Sequence, residues 1–255
     1  MNEPDLSIHH AEVKIVWANE LICTLIKEID SFMERKPYSI SLSPDPEQGM
    51  MFILNVELKE GIPYRIPCLI GDICNGLRSS MDTCWMGLQR SLNPDCRRSY
   101  FPIREHDTGL VREAEKTLNG QNLIKMTSIF DTLKPHHQFE SGGNKHLIEL
   151  NDLNNWQKHN MLVPAFAVTK LGDNTLITSN DGSSIRLDNA LVHGQVAGIG
   201  GTAASMTYDS EPTVEVLLKT GKFGGYQPII PLLEAFRDVA VNCLECFKRE
   251  FSNSK

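Results

Sequence analysis

The chain carries its clearest helical pattern in Gly71-Asp72-Ile73-Cys74-Asn75-Gly76-Leu77-Arg78-Ser79-Ser80-Met81-Asp82-Thr83-Cys84-Trp85. Apolar residues recur every three or four positions, as on one face of a helix, at Ile70, Ile73, Leu77, Met81, Cys84 and Leu88. Polar residues keep the same spacing on a second face, at Asp72, Asn75, Arg78 and Asp82. The segment therefore predicts a long central helix whose apolar side packs into a core and whose polar stripe lies about opposite.

Further helical patterns flank this central helix in both directions along the chain. The longest cover residues 7–34, 145–161 and 228–251, and Pro37 ends the first of them. Two shorter helices are predicted near residues 108–118 and 122–132. The four long segments are the expected members of a helical bundle.

Alternating apolar and polar residues predict two groups of strands. The first is a hairpin within residues 38–60, with strands at 38–42 and 51–58 around a turn rich in Pro and Asp. The second group is predicted at residues 165–170, 175–179, 184–187, 191–196 and 213–218. Asp181-Gly182 has the composition of a tight hairpin turn within this group.

The order of these elements predicts an α+β fold. We expect an antiparallel helical bundle with an N-terminal β-hairpin and a C-terminal-half antiparallel sheet inserted before the last helix. We predict a single domain over residues 1–255, in which 7–163 form a helical core that carries the hairpin at 38–60. Residues 164–226 would be a β-rich excursion, and 227–252 a C-terminal helix that returns to the bundle.

The charge balance limits the classes of partner. A net charge of -7 in 255 residues argues against a broad electrostatic grip on nucleic acid, which needs many Lys and Arg side chains. A local basic groove stays open as an alternative. We therefore keep RNA as an alternative partner that the net charge does not support.

The distribution of apolar residues and cysteines indicates a cytoplasmic protein. No window approaches the roughly 18 to 20 continuous apolar residues of a membrane span, so we expect no membrane contact. The N-terminus, Met1-Asn2-Glu3-Pro4-Asp5, lacks the apolar core of a secretory signal. Seven cysteines are an odd number, and Cys243 and Cys246 fall within a helical pattern, so we interpret them as reduced packing residues.

Three segments resemble a widespread group of uncharacterised bacterial proteins that also occurs in mobile elements. Members carry a run close to Gly-Asp-x-x-His-Asn-Leu-Arg-Ser-x-Leu-Asp-His, then Phe-Pro-Ile, then Leu-Asn-x-x-Asp-Lys-His. The corresponding segments here are residues 71–83, Phe101-Pro102-Ile103 and Leu153-Asn154-Asn155-Trp156-Gln157-Lys158-His159. The resemblance covers roughly residues 8 to 165 in order and spacing.

The central helix is also distantly similar to the HEPN ribonucleases, whose helical bundles carry an Arg and a His separated by four residues. The resemblance implies a dimer in which the His moves a proton at the RNA 2′-hydroxyl and the Arg stabilises charge on phosphate. Thr83 stands at the His position after Arg78, and Asn75 at an earlier His position. Since threonine is no acid or base near neutral pH, the candidate catalytic residues are Arg78 and, from a neighbouring helix, His159.

The polar stripe has other interpretations besides catalysis. Arg78 and Asp82 are four residues apart, the spacing of a helical ion pair, which contributes only a few tenths of a kcal/mol when exposed. Alternatively, the stripe is a buried network between two helices, in which every member needs a partner. The candidate binding residues are Asp72, Asn75, Asp82, Asn155 and Lys158.

Other chemical motifs are incomplete. The histidines at 106, 136, 137 and 146 are expected outside a shared helical register and lack an acidic partner at ligand spacing, so we expect no metal site. The segment Gly198-Ile199-Gly200-Gly201-Thr202 lacks the Lys-Ser/Thr ending of a phosphate-binding loop and is predicted to be a flexible turn. We expect no cofactor.

These observations favour a non-catalytic interaction or regulatory protein of a bacterial or mobile-element system, with a defence system among the candidates. A protein partner and a homodimer are the expected assemblies, the latter by analogy with HEPN bundles. One alternative is a HEPN-like ribonuclease with a degenerate Arg-x4-His motif. Another is a small-molecule-binding enzyme of unknown class with its pocket between bundle and sheet, so whether the protein is an enzyme stays open.

Overall fold

The computed structural model describes residues 3–96, 100–116, 118, 120–136, 142–159, 163, 165–192, 194–219 and 225–252. Over these ranges the protein is α+β, with an N-terminal hairpin and further antiparallel strands before the last helix, which confirms the predicted fold class. The described helices are α1 (Glu3–Glu34), α2 (Arg65–Leu92), α3 (Asp107–Glu115), α4 (Gly120–Leu133), α5 (Lys145–His159) and α6 (Ile229–Phe247), followed by a π-helical turn (Lys248–Ser252). The described strands are β1 (Tyr38–Pro44), β2 (Met51–Leu58), β3 (Ala165–Lys170), β4 (Leu176–Ser179), β5 (Ser184–Arg186), β6 (Leu191–Val192), β7 (Gly194–Gly200), β8 (Ala204–Thr207), β9 (Thr213–Lys219) and β10 (Tyr226–Pro228).

The apolar stripe of α2 is buried as its spacing predicts. Its six members are each at most 3% exposed, namely Ile70, Ile73, Leu77, Met81, Cys84 and Leu88. Pro67 lies in the first turn of α2, where its missing N–H breaks no helical hydrogen bond. The predicted end of α5 at Met161 lies outside the described residues.

The chain divides into two compact units. A helical unit comprises residues 1–26, 67–163 and 220–255, and a strand unit comprises residues 27–66 and 164–219. The N-terminal hairpin groups with the later strands, whereas the sequence pattern placed it within the helical core. The prediction of a single domain over the whole chain stays a prediction.

Neighbouring helices of the helical unit run antiparallel. On α1 and α2, Lys14 Nζ donates to Thr83 Oγ1 at 2.8 Å, while Ala18 lies beside Gly76, so the numbering runs in opposite directions. On α2 and α5, Arg78 bonds Asn151 and the backbone of Gly71 lies against the side chain of Gln157. A Cβ at position 71 would overlap the Gln157 amide, so glycine permits this close approach.

The last helix pairs with two others in the same way. Lys248 Nζ lies 2.7 Å from Glu12 Oε1, and Arg237 Nη1 donates to Asn19 Oδ1 at 3.3 Å. Residue numbers therefore rise along α6 and the turn after it as they fall along α1, so the two run antiparallel. The His146 ring of α5 lies 6.4 Å from the Phe236 ring of α6. The described helices α1, α2, α5 and α6 therefore form the expected bundle.

The strand unit is built from antiparallel pairs. In it β2 lies between β1 and β7, β3 between β6 and β9, and β4 between β5 and β8. Its core contains the buried side chains of Leu54, Val56, Leu171, Ile177, Val192 and Ile199.

The turn predicted for residues 198–202 is wrong over its first three residues. Gly198, Ile199 and Gly200 belong to β7 and pair with β2, and Ile199 is only 4% exposed. Glycine is depleted from strands in general, which made a turn the natural prediction. Pairing with β2 and burial of Ile199 outweigh that preference.

The described cysteines are free, and four of the five on α2 and α6 are buried: Cys74, Cys84, Cys243 and Cys246. Burial raises the pKa of Cys74 and of Cys84 to about 12, so both thiols stay protonated near neutral pH. The burial of Cys243 and Cys246 in α6 fits their interpretation as packing residues. Among the described residues, no helix has the length and apolar character that crossing a membrane requires.

Replacing Gly76 by Ala tests the packing of α1 on α2. A Cβ at this position would lie 3.6 Å from the Ala18 Cβ, which is an ordinary van der Waals contact. Because glycine inside a helix is less favourable than alanine, Gly76→Ala should raise the free energy of unfolding by roughly 0.5–1 kcal/mol in urea denaturation. The matched control, Gly120→Ala, should lower it by about 1 kcal/mol, since Gly120 has a φ of +51°. A loss of stability in Gly76→Ala would contradict the described packing.

Candidate functional site

Arg78 is buried and its guanidinium is hydrogen-bonded on three sides. Nε donates to Asn151 Oδ1 at 3.2 Å, and Nη2 donates to the Phe101 carbonyl oxygen at 2.8 Å. Nη1 donates to the carboxylate of Asp82, whose Oδ1 also accepts the Phe101 N–H at 2.8 Å. Two side chains one turn apart on α2 therefore hold both backbone polar groups of Phe101, an arrangement we call the Arg78–Asp82 clamp.

The clamp fixes an aromatic anchor. The Phe101 ring is 1% exposed and lies 6.3 Å from the rings of both Phe130 and Phe247, edge to face. Such aromatic pairs contribute about 0.5–1.5 kcal/mol beyond burial of their area. The segment 100–104 is thereby tied to α2, α4 and α6.

The Asp82 carboxyl lies in a partly dehydrated site. Burial raises its pKa above the ordinary value, although the Arg78 guanidinium and the Phe101 N–H favour the charged form and oppose that shift. The carboxylate has its charge compensated within the clamp by Arg78.

A cleft of about 750 Å³ opens beside the clamp, between α2, the segment 100–104, α3 and α5. We call it the α2–α5 cleft. Its lining is mostly polar and consists of Arg78, Asp82, Tyr100, Phe101, Pro102, Ile103, Arg104, Glu113, Asn151, Asn154, Asn155, Lys158 and His159.

The cleft brings together five of the seven residues that the sequence singled out. Arg78, Asp82, Asn155, Lys158 and His159 line it, and the last three are exposed. Their roles in catalysis or binding stay predictions.

Asp72 and Asn75 do not line the cleft. Both are exposed on α2, in the turns that precede Arg78. Near these two residues, α5 approaches α2 closely, with the Gln157 side chain against Gly71. The cleft beside Arg78 therefore does not extend to this part of α2.

The sequence reasoning missed Asn151 and Asn154 among the lining residues of α5. Counted from Asn151, the residues Asn154, Asn155 and Lys158 follow at three, four and seven positions, so the two missed amides share a helical face with the two predicted residues. Asn154 is 2% exposed, and its buried Oδ1 has no hydrogen-bond partner among the described residues. That spacing of amides was the available signal for this wall of the cleft.

Position 83, which would carry the second HEPN residue, faces a different cavity. The Thr83 hydroxyl donates to the Ser79 carbonyl oxygen at 2.7 Å and accepts from Lys14 Nζ. It lines a cavity of about 450 Å³ between α1 and α2, which we call the α1–α2 cavity. A side chain at this position therefore points toward α1 and does not line the α2–α5 cleft.

The histidines considered for metal binding are dispersed. His106 directly precedes α3, and His146 lies in the first turn of α5. His136 is buried, and His137 lies outside the described residues. No group of three or more His, Cys, Asp or Glu side chains in the described part of the chain is arranged to hold a metal ion.

Comparison of the chain with protein-family models, with curated proteins and with solved structures found no match. The function of the cleft therefore has to be inferred from its own residues.

Removing Arg78 should destabilise the fold strongly. Arg78→Ala would leave the Asp82 carboxylate and the Phe101 carbonyl without their partner, so the free energy of unfolding should fall by about 3–5 kcal/mol in chemical denaturation. The matched control is Arg104→Ala, since Arg104 pairs with Glu113 at 3.1 Å on the exposed rim. That variant should lose less than about 1 kcal/mol. Equal stabilities for the two variants would show that the clamp does not support the fold.

Proposed function

We propose that this protein is a non-catalytic binding protein and that its α2–α5 cleft holds a phosphate-bearing ligand. The observation that carries the proposal is the bonding of Arg78, whose guanidinium is committed to Asp82, Phe101 and Asn151. A guanidinium that stabilises a reacting phosphate must direct its free N–H groups at that phosphate. In this protein, three N–H groups of the Arg78 guanidinium already donate hydrogen bonds to other parts of the chain.

The rest of the lining suits recognition of an anion. Lys158 and His159 stand at the exposed end of α5, and Arg104 lies on the segment opposite. Within the described residues Lys158 is ion-paired with no carboxylate, so its ammonium is available for a phosphate.

The amides of α5 suit a second part of such a ligand. The buried Asn154 Oδ1 lacks a donor among the described residues, and an unsatisfied buried acceptor costs about 1–3 kcal/mol. A ligand hydroxyl or amino group at this point would remove that cost. Phosphate together with hydrogen-bond donors is the chemistry of a nucleotide.

Binding of a mononucleotide tests the proposal. Titration calorimetry with AMP should give a saturable isotherm, and Lys158→Gln should weaken binding roughly tenfold because it removes a charge-assisted contact. The matched control, Lys219→Gln, removes an exposed charge from the strand unit and should bind as the wild type does. The absence of saturable binding, or equal affinities of both variants, would overturn the proposal.

A HEPN-like ribonuclease is the second candidate, favoured by the placement of Arg78 and His159 on one cleft. The clamp and the position of Thr83 argue against it. Since Arg78→Ala is expected to disturb the fold, His159→Gln is the sharper variant.

Incubation with mixed RNA decides between the two candidates. Under the proposal, the wild type and His159→Gln leave the RNA equally intact, because His159 is then a binding group and no proton is transferred. The readout is the length distribution of the RNA on a denaturing gel. Cleavage by the wild type that is abolished in His159→Gln would replace the proposal with the ribonuclease.

A protein partner and a homodimer also stay proposals. One observation favours a partner surface on α1, where Val13, Val16 and Trp17 are exposed at three-and-four spacing. Contiguous apolar side chains of this kind mark interaction surfaces in soluble proteins.

A further inference from the structure

The α1–α2 cavity adjoins the α2–α5 cleft. Asp82, Tyr100 and Lys158 line both spaces, and all of the lining residues belong to the helical unit. The two spaces therefore meet at these three side chains.

Positive charge is concentrated along both spaces. The α1–α2 cavity adds Lys14 and Arg90 to the cations of the cleft. Together the two spaces are lined by five Lys and Arg side chains against two carboxylates, although the whole chain has a net charge of -7. A local cluster of positive charge on a protein whose net charge is negative favours the binding of an anionic ligand at that cluster.

Among the described residues, Lys14 and Arg90 of the second cavity are not ion-paired with a carboxylate. Lys14 Nζ donates to Thr83 Oγ1 at 2.8 Å and approaches the Ser79 carbonyl oxygen at 3.4 Å, both neutral acceptors. Arg90 Nε donates to the Cys96 carbonyl oxygen at 3.5 Å. Over the described ranges, neither cation forms an ion pair with an acidic side chain.

The extent of the cluster indicates a ligand with several phosphates. Arg78 and Arg90 lie twelve residues apart on α2, about 18 Å along the axis at a rise of about 1.5 Å per residue. The two spaces together therefore extend too far along α2 for one phosphate group to fill, whereas a chain of nucleotides can occupy both.

Tyr100 stands where the two spaces meet. It is 61% exposed, and it directly precedes Phe101, whose backbone is fixed by the clamp. An exposed ring on a fixed backbone is a platform on which a base stacks.

We propose that the α2–α5 cleft and the α1–α2 cavity form one groove that binds a single-stranded oligonucleotide, with phosphates along both spaces and a base stacked on Tyr100. This inference rests on the proposed function, in which the cleft binds one phosphate-bearing ligand. It extends that site past Tyr100 to Lys14 and Arg90. Because every base can stack on an aromatic ring, sequence preference should be weak.

The experiment is a length series measured by competition against a labelled octanucleotide in fluorescence anisotropy. The competitors are AMP, oligothymidylates of two, four and eight nucleotides, and inorganic polyphosphate of matching charge. Affinity should rise with oligonucleotide length until both spaces are filled. Affinities of the oligothymidylates that do not change with length would overturn the inference.

The double variant Lys14→Gln with Arg90→Gln separates the two spaces. It keeps a donor at each position but removes two charges, so it should weaken binding of the octanucleotide and leave AMP unchanged. The slope of log affinity against log salt should fall by about 0.7 for each phosphate that the variant no longer neutralises. The control, Lys59→Gln with Lys219→Gln, removes two exposed charges from the strand unit and should match the wild type.

Tyr100→Leu distinguishes bases from phosphates. It should weaken binding of the oligonucleotides several-fold and leave polyphosphate unchanged, since only the former stack. Polyphosphate that binds as tightly as the octanucleotide, with no effect of Tyr100→Leu, would assign the groove to phosphate chains and overturn the oligonucleotide. AMP binding in the cleft without any length dependence would refute this inference alone, whereas no binding of AMP would refute the proposed function.

Discussion

The helical unit depends on the hydrogen bonds that Arg78 and Asp82 make with the backbone of Phe101. A strand or helix would satisfy those backbone groups with other backbone groups, but residues 101–103 belong to neither. The side chains of Arg78 and Asp82 form hydrogen bonds with these backbone groups instead. Because Arg78 also donates to Asn151 on α5, three separate parts of the chain are fixed at one point.

The clamp limits which side chains of the α2–α5 cleft can contact a ligand. A guanidinium that supports the fold is fixed in direction, and its charge is offset by Asp82. The side chains with freedom to meet a ligand are those at the end of α5 and on the rim, such as Lys158 and Tyr100. The chemistry that remains is that of holding a ligand, and for this reason we propose that the cleft binds and does not catalyse.

The periodicity of the sequence predicted the helices and the burial of the apolar stripe of α2. The stripe around Leu77 and the four-residue spacing of Arg78 and Asp82 are local features, and local features can be read from spacing. The partner of that pair could not be predicted, because Phe101 lies nineteen residues beyond Asp82 and loop contacts have no period.

The strand unit shows where composition misleads. The glycines around Ile199 are typical of a turn, but the free edge of β2 and the core beneath Ile199 hold them in a strand. Such an outcome depends on a partner about 145 residues earlier in the sequence, as the pairing of Ile53 with Gly198 shows. No local window contains that information.

The helical unit is assembled from three separated stretches of chain, and α6 is the last of them. During translation α1 emerges long before α6, so the surface of α1 that contacts α6 stays uncovered while the intervening elements are made. Contacts between residues as distant as Glu12 and Lys248 carry a large loop-closure entropy and form late. Folding of the helical unit should therefore be completed only after α6 has been made.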